Sequence, residues 1–167
     1  DADLRRGRVA EVFGGHSKPG LTEVLDGSVP VGAAMQSFRV DDETGLRYIA
    51  AGSFPAHPAS VVGSTRMKRL IEGLRSHFDR IIIDSPPLNI VADAALLAGS
   101  TDGVLIVARA GGTPQAALTL AAEQLRQARI DVVGAVLNDI DYERHGTYDA
   151  AYKSYSYGRK YYAGLRG

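Results

Sequence analysis

The sequence lacks cysteine, it has no long apolar run, and its charges cancel. Without cysteine there are no disulfide bonds and no thiolate metal sites, which fits a cytosolic protein. No apolar run approaches the ~20 residues of a membrane-spanning helix, and no signal peptide is visible. Its 19 basic and 19 acidic residues give a formal net charge of +0, so no overall field favours nucleic acid or an anionic membrane as a partner.

Histidine is scarce as well, and its four copies are scattered at positions 16, 57, 77 and 145. None has the spacing of a metal-ligand pair, so each is interpreted as a surface or internally satisfied residue. A chain of 167 residues is long enough to bury roughly 70% of its unfolded surface, and one globular domain is therefore expected.

The most informative stretch is Arg80 to Pro87, where three isoleucines precede an aspartate and two prolines. Three consecutive β-branched residues predict a strand buried on both faces, as in a parallel sheet covered by helices. Asp84 then stands at the carboxyl edge of the sheet, where open α/β folds bind ligands. It is either a metal-binding acid of the kind that holds Mg²⁺ in nucleotide hydrolases or a residue that caps the next turn.

A second acidic group opens the chain in the sequence Asp1-Ala2-Asp3-Leu4-Arg5. Residues at i and i+2 project to the same side of an extended segment, so Asp1 and Asp3 share a side with Arg5. Such a cluster suits a hydrated Mg²⁺ or the proton of an attacking hydroxyl. The alternative is a polar terminal tail.

Between these motifs, strand and helix patterns alternate, which predicts a parallel sheet wound by right-handed crossovers. Ser64 and Thr113 are expected N-caps, the latter with Pro114 as the first helical residue. Residues 28–45 are expected to be loop with at most an edge strand. Helices are predicted at 17–27, in two pieces within 59–77, at 91–98 and from 114 to about 129; strands are predicted at 46–52, 81–83, 102–108 and 130–137.

The last 26 residues differ from the rest, because they hold seven of the eight tyrosines and few aliphatic residues. Without apolar side chains to bury, the segment beyond about residue 147 is expected to be a mobile tail. An amphipathic helix is the alternative, since several of the tyrosines fall at helical spacing. As a multi-site phosphoacceptor, the tail would gain roughly −1.5 to −2 charges per phosphate.

Three motifs together resemble the bacterial tyrosine kinases that control capsule and exopolysaccharide export, within the P-loop ATPases that carry a deviant Walker motif. Asp1-Ala2-Asp3-Leu4-Arg5 resembles their second Walker motif, called A′. The stretch from Ile81 to Pro87 resembles their Walker B motif, and the tyrosine cluster is similar to their autophosphorylation tail. The likeness extends over nearly the whole chain.

The resemblance implies an α/β fold of the P-loop NTPase type, with a parallel sheet flanked by helices and a Mg-ATP site at the carboxyl edge. Asp84 would bind Mg²⁺ together with Asp3. Asp1 and Asp3 would share metal positioning and acceptance of the tyrosine hydroxyl proton, with Asp1 favoured as the base, and Arg5 would orient the carboxylates of the A′ motif. Asn138, at the end of the last strand, would read the adenine edge. The phosphoacceptors would be Tyr148, Tyr152, Tyr155, Tyr157, Tyr161 and Tyr162.

The resemblance also implies partners and a place in the cell. These are neighbouring subunits of the same kinase for phosphorylation in trans, a transmembrane polysaccharide co-polymerase or modulator, and a tyrosine phosphatase; no nucleic acid is implied. The expected location is the cytoplasm, at the inner face of the membrane, held there by a membrane partner or a fused upstream segment.

One departure from the family is that no Gly-rich loop ending in Gly-Lys-Ser/Thr occurs in the sequence. With no initiator Met either, the chain is expected to be the carboxyl-terminal part of a kinase domain, cut inside the A′ motif. Residues 1–141 would be a partial, incomplete P-loop domain with exposed sheet edges, and 142–167 the tail. Such a chain is expected to be inactive alone. The alternative function is a non-catalytic regulatory module or a partition-type ATPase.

Overall fold

A computed structural model of the protein describes residues 1–39, 41 and 45–141. Over these residues the fold is α/β, with two small sheets and short helices. The helices are α1 (Val9–Phe13), α2 (Leu21–Asp26), α3 (Val31–Ala34), α4 (Pro58–Val62), α5 (Thr65–Arg75), α6 (Asp93–Ala98) and α7 (Gln115–Gln127). The strands are β1 (Met35–Arg39), β2 (Gly45–Ile49), β3 (Val104–Arg109) and β4 (Val132–Asn138).

The parallel pair of strands predicted near the end of the chain is confirmed. Strands β3 and β4 are parallel, with Leu105 opposite Gly134 and Arg109 opposite Asn138. Helix α7 is the crossover between them, as the alternating pattern predicts. Both strands therefore end at the same edge of the sheet, where Asn138 follows the last apolar residue.

The strand predicted at 46–52 exists, but its pairing is different from the prediction. Strand β2 pairs antiparallel with β1, and Met35 lies opposite Ile49. The segment 28–45, expected to be mainly loop, thus contains a helix and a strand. Aromatic packing accounts for the hairpin: the Phe13 ring lies 4.7 Å from Phe38 and 5.2 Å from Tyr48 between centroids, so α1 covers one side of it.

The prediction of a strand buried on both faces at Ile81–Ile83 is wrong. The segment is assigned no strand, and Ile82 is 90% exposed. Within the described part of the chain no strand pairs with it, and Ile83 packs against the core while Ile82 does not. One face of β3 is open, because Leu105 and Val107 are 54% and 62% exposed, whereas Ala108 on the opposite face is 4% exposed.

The core lies around the amino-terminal segment. Leu4 is 0% exposed and Ala2 is 1% exposed, so the residues that begin the chain are not a polar tail. They pack with buried residues from α2, α4, α5 and α6. The other members of this cluster are Leu21, Leu25, Ala51, Val62, Met67, Ile71 and Leu97.

Helix ends follow the sequence signals in one case and depart from them in another. Ser64 caps α5, as predicted, by accepting a hydrogen bond from the Met67 amide at 3.2 Å. At α7, however, Pro114 is the N-cap and Thr113 is not. The Thr113 hydroxyl is engaged elsewhere, since it accepts a hydrogen bond from the Arg109 amide at 2.9 Å. None of the helices described has the length and apolar character to span a membrane.

Candidate active site

The first two residues join two separate parts of the chain. The backbone nitrogen of Asp1 donates to the carbonyl of Ile49 at 2.9 Å, and the Ala2 amide donates to the carbonyl of Asp84 at 2.8 Å. The acidic motif that opens the chain therefore lies beside the segment that ends in Asp84.

The carboxylate of Asp1 organises the turn that follows it. Its Oδ1 accepts from the Asp3 amide at 3.2 Å, and its Oδ2 accepts from the Val9 amide at 3.0 Å. Gly7 is required in this turn, because a Cβ there would lie 2.6 Å from Asp1 Oδ2 and 2.5 Å from the Cβ of Ala51. Both oxygens of Asp1 are thus engaged by the backbone.

Asp3 and Asp84 each have at least one carboxylate oxygen that accepts no hydrogen bond from the described residues. Asp3 Oδ1 accepts from the Arg5 amide at 3.0 Å and from the Arg6 amide at 2.9 Å, which leaves Oδ2 without a hydrogen bond from any described residue. The carboxylate of Asp84 is exposed and receives no hydrogen bond within the same part of the chain. These are the two carboxylates with oxygen atoms available to a ligand.

Arg5 does not turn its guanidinium toward Asp1. It forms a bidentate ion pair with Asp93, with Nε 2.9 Å from Oδ2 and Nη2 3.1 Å from Oδ1. The hydrogen bond to Asp93 is the largest cause of a raised pKa for Arg5; burial opposes it, and the charges of Asp93 and Asp3 reinforce it. Arg5 thus contacts Asp93 through its guanidinium and Asp3 through its backbone amide, and its role in orienting the carboxylates stays a prediction.

Asp93 was not among the residues singled out from the sequence. It begins α6, and an acid in the first turn of a helix is common enough to be interpreted as a response to the helix dipole. The unusual feature is its burial, 0% exposed, and no local pattern reveals which partner would compensate the charge.

Asn138 lies at the carboxyl edge of the parallel strands, as predicted, and its side chain is exposed. Its carbonyl accepts from the Ala110 amide at 2.8 Å. Next to it, Arg109 Nε lies 2.6 Å from Oδ2 of Asp139. No hydrogen bond joins Asn138 to Asp1, Asp3 or Asp84. The six predicted phosphoacceptor tyrosines, residues 148 to 162, lie outside the described residues.

The fit of a metal ion to this site is judged from the chemistry of the oxygen donors. In the described ranges no group of three or more acidic or histidine side chains is arranged to hold an ion. Magnesium does not need such a group, because it is usually bound by one or two carboxylates, with substrate phosphates and waters completing six ligands. The available oxygens of Asp3 and Asp84 fit that requirement.

Glu23 fixes the loop that follows β2 near this site. Its Oε2 accepts from the Gly20 amide at 2.8 Å, and its Oε1 accepts from the Ser53 amide at 3.0 Å. Burial raises the pKa of Glu23, but the hydrogen bonds from Ser53 and Gly20 outweigh that effect and lower it overall. The carboxylate therefore joins the start of α2 to the loop that follows β2.

Replacement of Glu23 by glutamine is expected to lower the free energy of unfolding at pH 7 by about 1 kcal/mol, as for a lost helix-capping group. Because folding lowers the pKa of Glu23, its contribution is fully present above the ordinary value of 4.5 and is lost as the pH falls through the folded value. Urea denaturation of both proteins at pH 7 and pH 3 measures this. The difference should shrink at pH 3. Glu72→Gln, at an exposed position, is the control, and an equal loss in both variants would contradict the prediction.

No family model matches the chain. Individual proteins match it over most of its length. It is 36% identical over 140 residues to the tyrosine-protein kinase ptk of Acinetobacter johnsonii, covering 84% of this chain and 19% of the relative. It is 36% identical over 162 residues to the putative tyrosine-protein kinase EpsB of Ralstonia solanacearum, covering 97% of this chain and 21% of the relative. The chain thus spans about a fifth of the length of these curated relatives.

Solved structures give the same result. The kinase domain of VpsO superposes with a TM-score of 0.78 at 30% identity, covering 84% of this chain and 68% of that one. The kinase domain of the Escherichia coli tyrosine kinase ETK superposes with a TM-score of 0.78 at 34% identity, covering 84% and 54%. In both, the match extends over most of the residues that the structure describes.

Proposed function

The chain belongs to the family of bacterial tyrosine kinases, and on that premise we propose that it is part of a protein-tyrosine autokinase. This kinase uses Mg-ATP to phosphorylate its tyrosine cluster and thereby regulates capsular or exopolysaccharide synthesis and export. The observation that carries the proposal is the bonding of Ala2 to Asp84, because it sets two acidic motifs side by side. Phosphoryl transfer needs such carboxylates to hold the metal and to receive a proton.

Each carboxylate has a separate role in this proposal. Asp84 and the free oxygen of Asp3 hold Mg²⁺, which neutralises the charge of the ATP phosphates when bound. Asp1 takes the proton of the tyrosine hydroxyl with a lone pair that its backbone hydrogen bonds do not use. Asn138 contacts the adenine from the end of β4. The fold's contribution is mainly positioning and electrostatics, which is what this reaction requires.

The substrate tyrosines are Tyr148, Tyr152, Tyr155, Tyr157, Tyr161 and Tyr162, and a neighbouring subunit phosphorylates them in trans. We further propose a transmembrane polysaccharide co-polymerase as the modulator and a tyrosine phosphatase as the opposing enzyme. The kinase then works in the cytoplasm at the inner face of the membrane.

The phosphate-binding loop is the component that these 167 residues do not contain. In P-loop kinases its backbone amides and lysine cradle the phosphates. The 167-residue polypeptide on its own is therefore proposed to be inactive, and the kinase reaction is a property of an assembly that includes such a loop.

Intact mass spectrometry with tyrosine mapping tests the proposal. The full-length gene product that contains these residues is incubated with Mg-ATP, and a ladder of added phosphates confined to residues 148–162 is expected. A variant with phenylalanine at all six positions keeps Tyr48 and Tyr142 and should show no ladder. This variant separates tail phosphorylation from modification elsewhere.

An unmodified mass despite measurable ATP binding would contradict the kinase proposal. It would favour a regulatory ATPase of the partition type, in which nucleotide turnover continues without a phosphotyrosine product. Release of inorganic phosphate, measured in the same incubation, distinguishes that outcome from a protein that does not use ATP.

A further inference from the structure

Among the described residues, Asp93 is the only charged side chain that is completely buried. A buried carboxylate is strongly disfavoured unless a cation and hydrogen bonds compensate it. Arg5 supplies both, through two nearly parallel N–H to O bonds of 2.9 and 3.1 Å. The side chain of Arg5 remains 39% exposed, so it extends from the surface to its buried partner Asp93.

The same arginine belongs to the turn that holds Asp3. The amides of Arg5 and Arg6 both donate to Asp3 Oδ1, at 3.0 and 2.9 Å. A guanidinium that is locked by Asp93 therefore restrains the backbone on which the Asp3 carboxylate is held. This restraint limits the positions that the free Oδ2 of Asp3 can adopt.

Asp93 is also connected to the other acidic motif. It begins α6, the first helix after the proline-containing turn that follows Asp84. The ion pair with Arg5 consequently ties the chain after Asp84 to the chain after Asp3. The only backbone bond between these motifs is that of the Ala2 amide with the Asp84 carbonyl, so the ion pair is a second and independent connection.

We propose that Asp93 is a positioning residue for phosphoryl transfer: through its ion pair with Arg5 it sets the placement of Asp3 relative to Asp84. The inference rests on the proposed function, because it assigns these two carboxylates to the metal. Asp93 itself touches neither nucleotide nor metal in this scheme. A small displacement of reacting groups is enough to slow an enzyme about 100-fold, which gives the pair a large influence on rate.

The test is the kinetics of autophosphorylation in the full-length gene product carrying Asp93→Asn. Asparagine keeps the shape but loses the charge and turns an N–H group toward the guanidinium. We expect kcat to fall about 10- to 100-fold, the KM for ATP to change less than threefold, and the half-saturating Mg²⁺ concentration to rise. Asp93→Glu restores the charge and should recover part of kcat.

A double-substitution cycle tests whether Arg5 mediates the effect. Arg5→Gln, Asp93→Asn and the double variant are compared. If the two residues act as one unit, the double variant is no slower than the slower single variant. Multiplication of the two losses would overturn the proposed coupling.

Two controls separate positioning from stability. Asp102→Asn breaks another bidentate ion pair, between Arg75 and the exposed Asp102 at 2.9 and 3.0 Å. Leu125→Val weakens packing at a buried position of α7 and lowers the Tm without touching either motif. Both should leave kcat and the Mg²⁺ dependence at wild-type values.

The outcomes are distinguishable. If the unsubstituted protein adds no phosphate, the proposed function fails, and the positioning role that rests on it fails with it. If it does add phosphate, and Asp93→Asn lowers only the Tm, with kcat and the Mg²⁺ requirement equal to those of Leu125→Val, the positioning role is wrong and Asp93 is structural.

Discussion

Asp84→Asn is expected to lower kcat for autophosphorylation by about 100- to 1000-fold, the loss typical of removing one preorganised group that stabilises transition-state charge. The carboxylate is exposed and receives no hydrogen bond within the described part of the chain, so its loss removes no contact that holds the fold. The Tm should therefore stay close to the wild-type value. Rates are measured on the full-length gene product at saturating ATP and several Mg²⁺ concentrations.

Matched substitutions at Asp1 and Asp3 distinguish the roles of the three carboxylates. Asn at position 1 has one carbonyl oxygen in place of two, so it cannot accept from both the Asp3 and Val9 amides. Asp1→Asn should lose activity and stability together, whereas Asp3→Asn should keep the hydrogen bonds at Oδ1 and lose mainly activity. Asp131→Asn, at an exposed acid before β4, is the control. Wild-type rates for Asp84→Asn at low Mg²⁺ would refute the metal role.

Features that depend on neighbouring residues were predictable from the sequence. Ser64 and the break at Gly63 locate the two helices of 59–77, because an N-cap acts within three residues. The apolar runs at 102–108 and 130–137 predict the parallel strands observed at 104–109 and 132–138, because a helix of crossover length lies between them. Gly27, with φ of 89°, ends α2 in the left-handed conformation that glycine favours.

Features that depend on distant partners were not predictable. The three isoleucines at 81–83 predict a strand, but a strand is defined by its neighbours, and none among the described residues pairs with them. Strand β2 has the composition of a sheet strand, but no local pattern shows that it pairs with β1 or that Phe13 packs on Phe38 of that partner. Arg5 and Asp93 are 88 positions apart, so no local spacing connects them.

The 167-residue polypeptide is expected to bind Mg-ATP with a Kd of about 1 mM or weaker. A hydrogen bond to a charged group contributes about 1.5–3 kcal/mol, so the absence of only two phosphate contacts from a Gly-rich loop costs about 3–6 kcal/mol. A loss of this size weakens the Kd at least about 100-fold. Isothermal titration of the polypeptide with ATP and Mg²⁺ measures the affinity directly.

Asp84→Ala in the same polypeptide measures how much of any residual ATP binding depends on the metal ion. The carboxylates without the loop can hold Mg²⁺ but cannot hold three phosphates, so the remaining heat should depend on Asp84 and vanish with EDTA. Micromolar binding that survives Asp84→Ala would mean that another part of this chain cradles the phosphates. The assignment of the site to the edge formed by Asp1, Asp3 and Asp84 would then be wrong.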